Sequence, residues 1–215
     1  AGPHRGEKEE NMKMFKKVLA LTLALTMAIA FCGCGSDKAA EESTITVGIA
    51  QDIEDSLDPH YAAAAGTREV LFNIFEGLVK PNSNGELIPA IASEYSVDEE
   101  GKVYTFTLRD GVTFHNGEAV TVEDVKASIE RNAGIGDEEA LVAAFSNIES
   151  VDTPDDKTVV ITLVTPDTDF ISNMTVAILP ADHLDETATD PIGTGPYKYV
   201  SRSPQENIIL EAYDG

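Results

Sequence analysis

The chain has no tryptophan, only two cysteines and few cations: 15 Lys and Arg stand against 38 Asp and Glu, a formal net charge of −23 over 215 residues. A body this acidic repels a phosphate backbone, so nucleic acid is excluded as a partner. The acid excess is expected to form a hydrated surface. Both cysteines, Cys32 and Cys34, sit in one short segment, which leaves the body without an internal disulfide. As a Cys-x-Cys pair they lack the third and fourth ligands that a metal site needs. The longest apolar run falls short of the ~20 residues that span a bilayer as a helix. Gly-x-Ser-x-Gly, a Walker lysine and His-x-x-x-His are missing as well, so the common hydrolase, nucleotide and zinc patterns do not apply. No catalytic residue, metal or cofactor is expected. With 42% hydrophobic residues, the chain still has enough apolar material for one large or two small domains.

Charge is unevenly distributed. Before Cys34 there are five basic residues (Arg5, Lys8, Lys13, Lys16, Lys17) and three acids; from Cys34 onward 10 basic residues face 35 acids. The basic end opens the run "MKMFKKVLALTLALTMAIAFCGCGSDKAAEEST", in which Val18 to Phe31 is apolar and uncharged. That length fits the ~7–15 residues of a signal-peptide core. Small Gly33 directly precedes Cys34, and the segment resembles a bacterial lipobox; Phe31 is bulkier than is usual three residues before the cysteine. The resemblance implies that Cys34 is lipidated and becomes the N-terminus after cleavage. An ordinary secretory signal, or a membrane helix with a tail, is the alternative. The expected organisation is therefore 1–11 as an upstream extension before a start at Met12 or Met14, and 12–33 as signal peptide. Residues 34–43 are the lipidated cysteine and flexible tether, and 44–215 the body.

In the body, the β-branched run Thr44–Ala50 predicts a buried strand. An acidic loop with Asp52, Glu54, Asp55 and Asp58 follows. It lacks the 12-residue EF-hand pattern and is expected to be solvated. Thr67 is placed to cap a helix with Val70, Leu71, Ile74, Phe75 and Leu78 on one face. In "VYTFTLR", alternation puts Tyr104, Phe106 and Leu108 on a buried face. "VTF" is a further short strand, and Asn116-Gly117 a turn. Thr121 and Asp124 form a capping box for a helix lined by Val122, Val125 and Ile129. Beyond it come a short helix near Leu141–Phe145, a hairpin of "NIESV" and "TVVITLV" turning at Asp155–Lys157, and strands in "GTGPYKYV" and "NIILEA". Helices and strands are mixed without regular alternation, which predicts an α/β class with a mixed sheet.

Four stretches, "TITVGIAQDIEDSLDPHYA", "LFNIFEGLVKPNSNGELIPAIASEY", "KVYTFTLRDGVTFHNGEAVTVEDVKASIER" and "PIGTGPYKYV", resemble the bacterial extracellular solute-binding proteins of peptide, dipeptide and nickel ABC importers (family 5), in order and spacing. The resemblance implies a type II periplasmic-binding-protein fold, with 44–215 as the N-terminal part of the first lobe and the second lobe absent. It implies a monomeric receptor tethered by lipid to the outer face of the membrane, capturing di- or oligopeptides for permease subunits. Nickel, haem or a small sugar are the alternative ligands, and a non-transport surface lipoprotein the alternative role. The family's second-lobe anchors for peptide termini have no counterpart in this sequence.

By the same resemblance, the segment between the first strand and first helix borders the ligand cleft. Tyr61 offers stacking or a hydrogen bond, and Ala64, Ala65, Gly66 and Thr67 are small enough for a ligand backbone to approach. His115 is expected as an exposed turn residue. The "GTG" of Gly193–Gly195 precedes a proline and a strand, so it is expected to be a tight turn or hinge entry rather than a phosphate loop.

Overall fold

The computed structural model describes residues 44–214 apart from Gln51, Asp55, Asp137 and Glu138; the leader, Cys34 and the tether lie outside the described residues. The chain divides into two units, Ala1–Val47 and Gly48–Gly215. Of the first, only Thr44–Val47 is described, an irregular stretch with Ile45 81% and Val47 77% exposed. The strand expected over Thr44–Ala50 is thus not formed. Alternating β-branched residues favour extended backbone, but a strand also needs a ladder partner, and none among the described residues pairs with this segment.

The second unit opens with α1 (Ala65–Leu71). A small hairpin of β1 (Val79–Pro81) and β2 (Leu87–Pro89) follows. The central sheet contains β3 (Ala92–Val97), β4 (Val103–Leu108), β5 (Ile148–Asp152) and β6 (Thr158–Leu163), ordered β3-β4-β6-β5. The two strands expected near the end are present, β7 (Tyr197–Ser203) and β8 (Asn207–Ala212), and they pair as a separate hairpin. The α/β class holds, but the sheet is not mixed: every pairing among the described residues is antiparallel. Tight turns dictate this for the consecutive pairs, since only antiparallel neighbours can be joined by a few residues, whereas β4 and β6 pair across the segment that carries α2 and β5. Asp98 Oδ1 accepts from the Lys102 and Val103 amides at 2.7 and 3.0 Å in the β3–β4 turn. Asp155 Oδ1 accepts from Lys157 and Thr158 at 2.9 and 2.8 Å in the β5–β6 turn.

Alternation in β4 buries Tyr104, Phe106 and Leu108. Val159, Ile161 and Leu163 of β6 bury the same face. Onto it packs α2 (Val122–Ala133) through Val122, Val125 and Ile129, all in one apolar cluster. Each such side chain contributes about 1.5–3 kcal/mol of burial. The predicted capping box is present: Thr121 Oγ1 accepts from Asp124 N at 3.3 Å, and Asp124 Oδ2 accepts from Thr121 N at 2.8 Å. Asp124 Oδ1 also accepts from Ala181 N at 2.8 Å, which ties the helix start to a later loop. Thr121→Ala is expected to destabilise the chain by about 1 kcal/mol, or ~2–4 °C in a thermal melt. A shift under 0.5 °C would mean that this cap contributes nothing. The expected short helix near Leu141 is a 3-10 turn over Ala143–Asn147. "VTF" supplies a single bridge, Thr113 to Ala119.

A second apolar cluster unites Ile53, Leu57, Leu71, Ile74, Phe75, Ala177 and Leu179. The helix predicted to run from Thr67 through Leu78 stops at Leu71. Asn73 explains the stop, its Nδ2 donating back to the Glu69 carbonyl at 2.8 Å, while the Ile74 carbonyl accepts from Gly195 N at 2.8 Å. Ile74, Phe75 and Leu78 are nevertheless buried.

Candidate functional site

The expected solvated acidic loop is ordered by its carboxylates. Glu54 Oε2 accepts from the Ala63 and Ala64 amides at 3.1 and 3.2 Å, so a remote side chain satisfies donors at the start of α1. Thr67 is not the cap; Ala64 occupies that position. Thr67 is fully buried, and its Oγ1 accepts from Glu54 N at 3.0 Å. Its hydroxyl therefore ties the loop to α1 and presents nothing to solvent. Asp52 Oδ2 accepts from Gln205 N at 2.9 Å, and Arg202 donates to the Ile53 carbonyl at 2.6 Å. Among the described residues no cluster of three or more His, Cys, Asp or Glu is arranged to hold a metal ion.

Asp58 is the deepest of these acids, its side chain 4% exposed. Arg131, on the last turn of α2, forks onto it, Nη2 to Oδ2 at 2.7 Å and Nη1 to Oδ1 at 3.2 Å. Asp58 Oδ1 also accepts from the His60 amide at 2.9 Å. The His60 ring closes the cluster. Its Nε2 lies 2.8 Å from the Ala177 carbonyl and so carries the proton, and its Nδ1 accepts from Arg131 Nη1 at 3.1 Å. Burial pushes the imidazole below the ordinary histidine range, and Arg131 acts in the same direction; the Ala177 bond and Asp58 act against it.

Of the sequence-predicted contact residues, Tyr61 is 55% exposed and the Arg131 guanidinium lies 5.1 Å from its ring centroid. Ala65 is exposed, while Ala64 and Gly66 are half-buried. A Cβ added to Gly66 meets nothing within 4 Å. The surface at Tyr61, Ala64, Ala65 and Gly66 is therefore open, as a contact surface must be. Sequence reasoning missed Asp58, His60 and Arg131 as one group, because Arg131 lies 73 residues beyond Asp58. Two surface hollows lie elsewhere, of about 390 and 480 Å³; both are bordered by Glu76, Lys80 and Thr194 and neither by Tyr61–Thr67. Glu76 and Lys80 form an ion pair at 2.6 Å there.

His115 is not the exposed turn histidine the sequence suggests. Its turn is as predicted, with Gly117 at φ +87°, but the ring is held by the glycine segment. Nε2 donates to the Gly195 carbonyl at 2.9 Å, Nδ1 accepts from Gly193 N at 3.3 Å, and the His115 amide donates to the Gly193 carbonyl at 2.9 Å. Tyr213 packs edge-on to the ring at 4.9 Å. Burial lowers its pKa, with Lys198 adding to the effect and the Gly195 bond opposing it. "GTG" is accordingly a tight passage docked against the Asn73–Ile74 backbone, with no phosphate cradle.

No helix among the described residues is long and apolar enough to cross a membrane. Residues 86–215 match the family model of the bacterial extracellular solute-binding proteins, family 5 Middle. The glutathione-binding protein GsiB of Pectobacterium atrosepticum is 31% identical over 184 residues, covering 82% of this chain and 35% of that protein. Two solved structures share the fold. The periplasmic binding protein DppA of Helicobacter pylori, in complex with the peptide STSA, superposes with a TM-score of 0.65 at 29% identity, covering 74% of this chain and 37% of DppA. NikZ of Campylobacter jejuni, in complex with Ni(L-His), gives a TM-score of 0.65 at 29% identity over 78% of this chain and 34% of NikZ. The chain thus spans about a third of the length of these relatives. The α/β lobe seen here is that of a type II periplasmic binding protein. On the family match over 86–215, the chain belongs to the bacterial extracellular solute-binding proteins of family 5.

Proposed function

We propose that this chain is the N-terminal part of the first lobe of a substrate-binding receptor for an ABC importer, exported and anchored through Cys34, that captures di- or oligopeptides and performs no chemistry on them. The observation that carries the reading is the kinship with GsiB and with peptide-bound DppA. The open face of Tyr61, Ala64, Ala65 and Gly66 supports placing the ligand there. Small side chains and a half-exposed ring beside a cation suit an extended peptide backbone. NikZ favours a nickel–amino acid complex as the second candidate ligand.

Calorimetry and thermal melts of the full chain with trialanine, glutathione and mixed di- to tetrapeptides test this. Binding is expected with a negative heat-capacity change and a raised melting temperature. Gly66→Ala should leave the fold intact, because the new methyl meets open space. It should weaken peptide binding about tenfold, or ~1.4 kcal/mol, by holding the ligand backbone away. If no peptide shifts the melt, the peptide assignment fails, and Ni(L-His), haem and small sugars are tested next. If peptides bind and Gly66→Ala binds them equally well, the ligand sits elsewhere.

A further inference from the structure

We propose that Arg131 and His60 are positioning residues for the Tyr61–Gly66 face, and that uptake of one proton by His60 unlatches that face. The inference rests on the reading of this face as the ligand wall. Among the described residues, the charged and titratable groups that face the ring are Asp58 on its own loop and Arg131 from α2; from the segment after Thr175 the Ala177 carbonyl faces it.

The geometry allows one protonation state. With Nε2–H given to Ala177, Nδ1 must be a bare acceptor for Arg131 Nη1 at 3.1 Å. A second proton on the ring turns that hydrogen bond into two N–H groups pointing at each other, each on a cation. Asp58 offsets the extra charge only in part, because Oδ1 already takes Arg131 and the His60 amide and Oδ2 takes Arg131. Either the ring or the guanidinium must then leave. Each exit strips the loop: Arg131 is the cation beside the Tyr61 ring, and Asp58 holds the loop through the His60 amide. Glu54 would still hold the Ala63 and Ala64 amides, so the release is local.

The sign follows from linkage. A histidine that stays neutral when folded, and titrates normally when the loop opens, binds fewer protons closed than open. The closed face is therefore fully favoured above about pH 6.5 and loses favour as pH falls through the lower, latched value. Between the open and the latched values opening becomes about tenfold easier for each pH unit, and below the latched value, where both states carry the proton, the gain levels off.

The test uses the full chain labelled with 15N-histidine, followed by NMR from pH 8 to 4.5, with His60 assigned from the spectrum of His60→Gln. In parallel, amide exchange at His60, Tyr61, Ala63 and Ala64 is measured and corrected for intrinsic pH dependence. The proposal expects neutral His60 with the proton on Nε2 at pH 8 and a midpoint below that of an exposed histidine. It also expects loss of protection at His60 and Tyr61 that tracks the midpoint and is absent in His60→Gln. A His60 that is already cationic at pH 7, or loop protection indifferent to its titration, overturns the latch. Trialanine affinity separates the two claims. Binding that does not weaken through the His60 midpoint counts against the latch and leaves the peptide reading standing. A tracked unlatching in a chain that binds no peptide at any pH upholds the latch and sinks the peptide reading.

Discussion

Arg131→Ala is expected to cost about 3–5 kcal/mol of stability, the range for removing one partner of a buried, hydrogen-bonded ion pair. The Asp58 side chain is 4% exposed, and with Arg131 gone two of its three hydrogen bonds vanish. The same change leaves His60 Nδ1 without its donor and removes the cation beside Tyr61. Arg131→Lys should fall between, because an ammonium cannot fork onto two carboxylate oxygens and reach an imidazole at once. The decisive comparison is Asp58→Asn/Arg131→Met. Removing both charges and refilling the volume should recover more than half of the loss, since the penalty arises from the stranded carboxylate rather than from a lost attraction. Urea unfolding of the three variants measures this, provided the m-values agree. An Arg131→Ala variant within 1 kcal/mol of the parent would show that the pair is not a buried one in solution.

The pair also shows where sequence reasoning stops. Local rules served well wherever a residue's partner lay within a few positions. The Tyr104, Phe106, Leu108 face, the Asp155–Lys157 turn, the Thr121–Asp124 box and the Asn116-Gly117 turn all formed as expected. They failed where a distant segment claimed the group. Thr67 looks like a cap from its position before an apolar stripe, yet its hydroxyl serves Glu54 N, 13 residues back. His115 looks like a solvent-facing turn residue, yet its ring bonds a glycine segment 80 residues onward. The acidic loop looks hydrated because four carboxylates crowd it, but Asp58 and Glu54 each organise backbone amides and Asp58 takes an arginine from α2. No spacing rule encodes such contacts.

Thr44–Ala50 failed for the opposite reason: its period is right, but no described strand pairs with it. The candidate site divides along the same line. The small, open positions were legible as a pattern of alanine and glycine. The residues that hold them in place were not, because each reaches them from elsewhere in the chain.

The two imidazoles share one device. In each, Nε2–H is spent on a carbonyl and Nδ1 accepts a donor from a distant part of the chain: Arg131 for His60, Gly193 N for His115. His60 fixes the candidate ligand loop, whereas His115 clamps the entry to β7. The second clamp works only because the backbones approach to a distance that no side chain tolerates, and this sets the last expectation.

Gly193→Ala is expected to lower stability by about 3 kcal/mol, at the upper end for overpacking, or roughly 6–12 °C in a melt for a chain of this size. A Cβ at Gly193 would lie 2.1 Å from the Ile74 carbonyl oxygen and 2.7 Å from the Phe75 ring. Ile74 cannot yield cheaply: it is fully buried in the second apolar cluster, and its carbonyl accepts from Gly195 N at 2.8 Å. If the glycine segment moves instead, it pulls on its three hydrogen bonds to His115, the ring through Nδ1 and Nε2 and the amide through the Gly193 carbonyl. Gly195→Ala places its Cβ 2.5 Å from the Asn73 carbonyl and should be damaging for the same reason. Gly117→Ala is the control, because its φ is +87° but no atom lies within 4 Å of the added carbon. It carries the backbone strain without the collision, about 1 kcal/mol. Equal losses at Gly193 and Gly117 would show that the glycine segment is not seated against Ile74. A three-fold larger loss at Gly193, accompanied by a rise of the His115 titration midpoint toward that of a free histidine, would establish the clamp as a packed one.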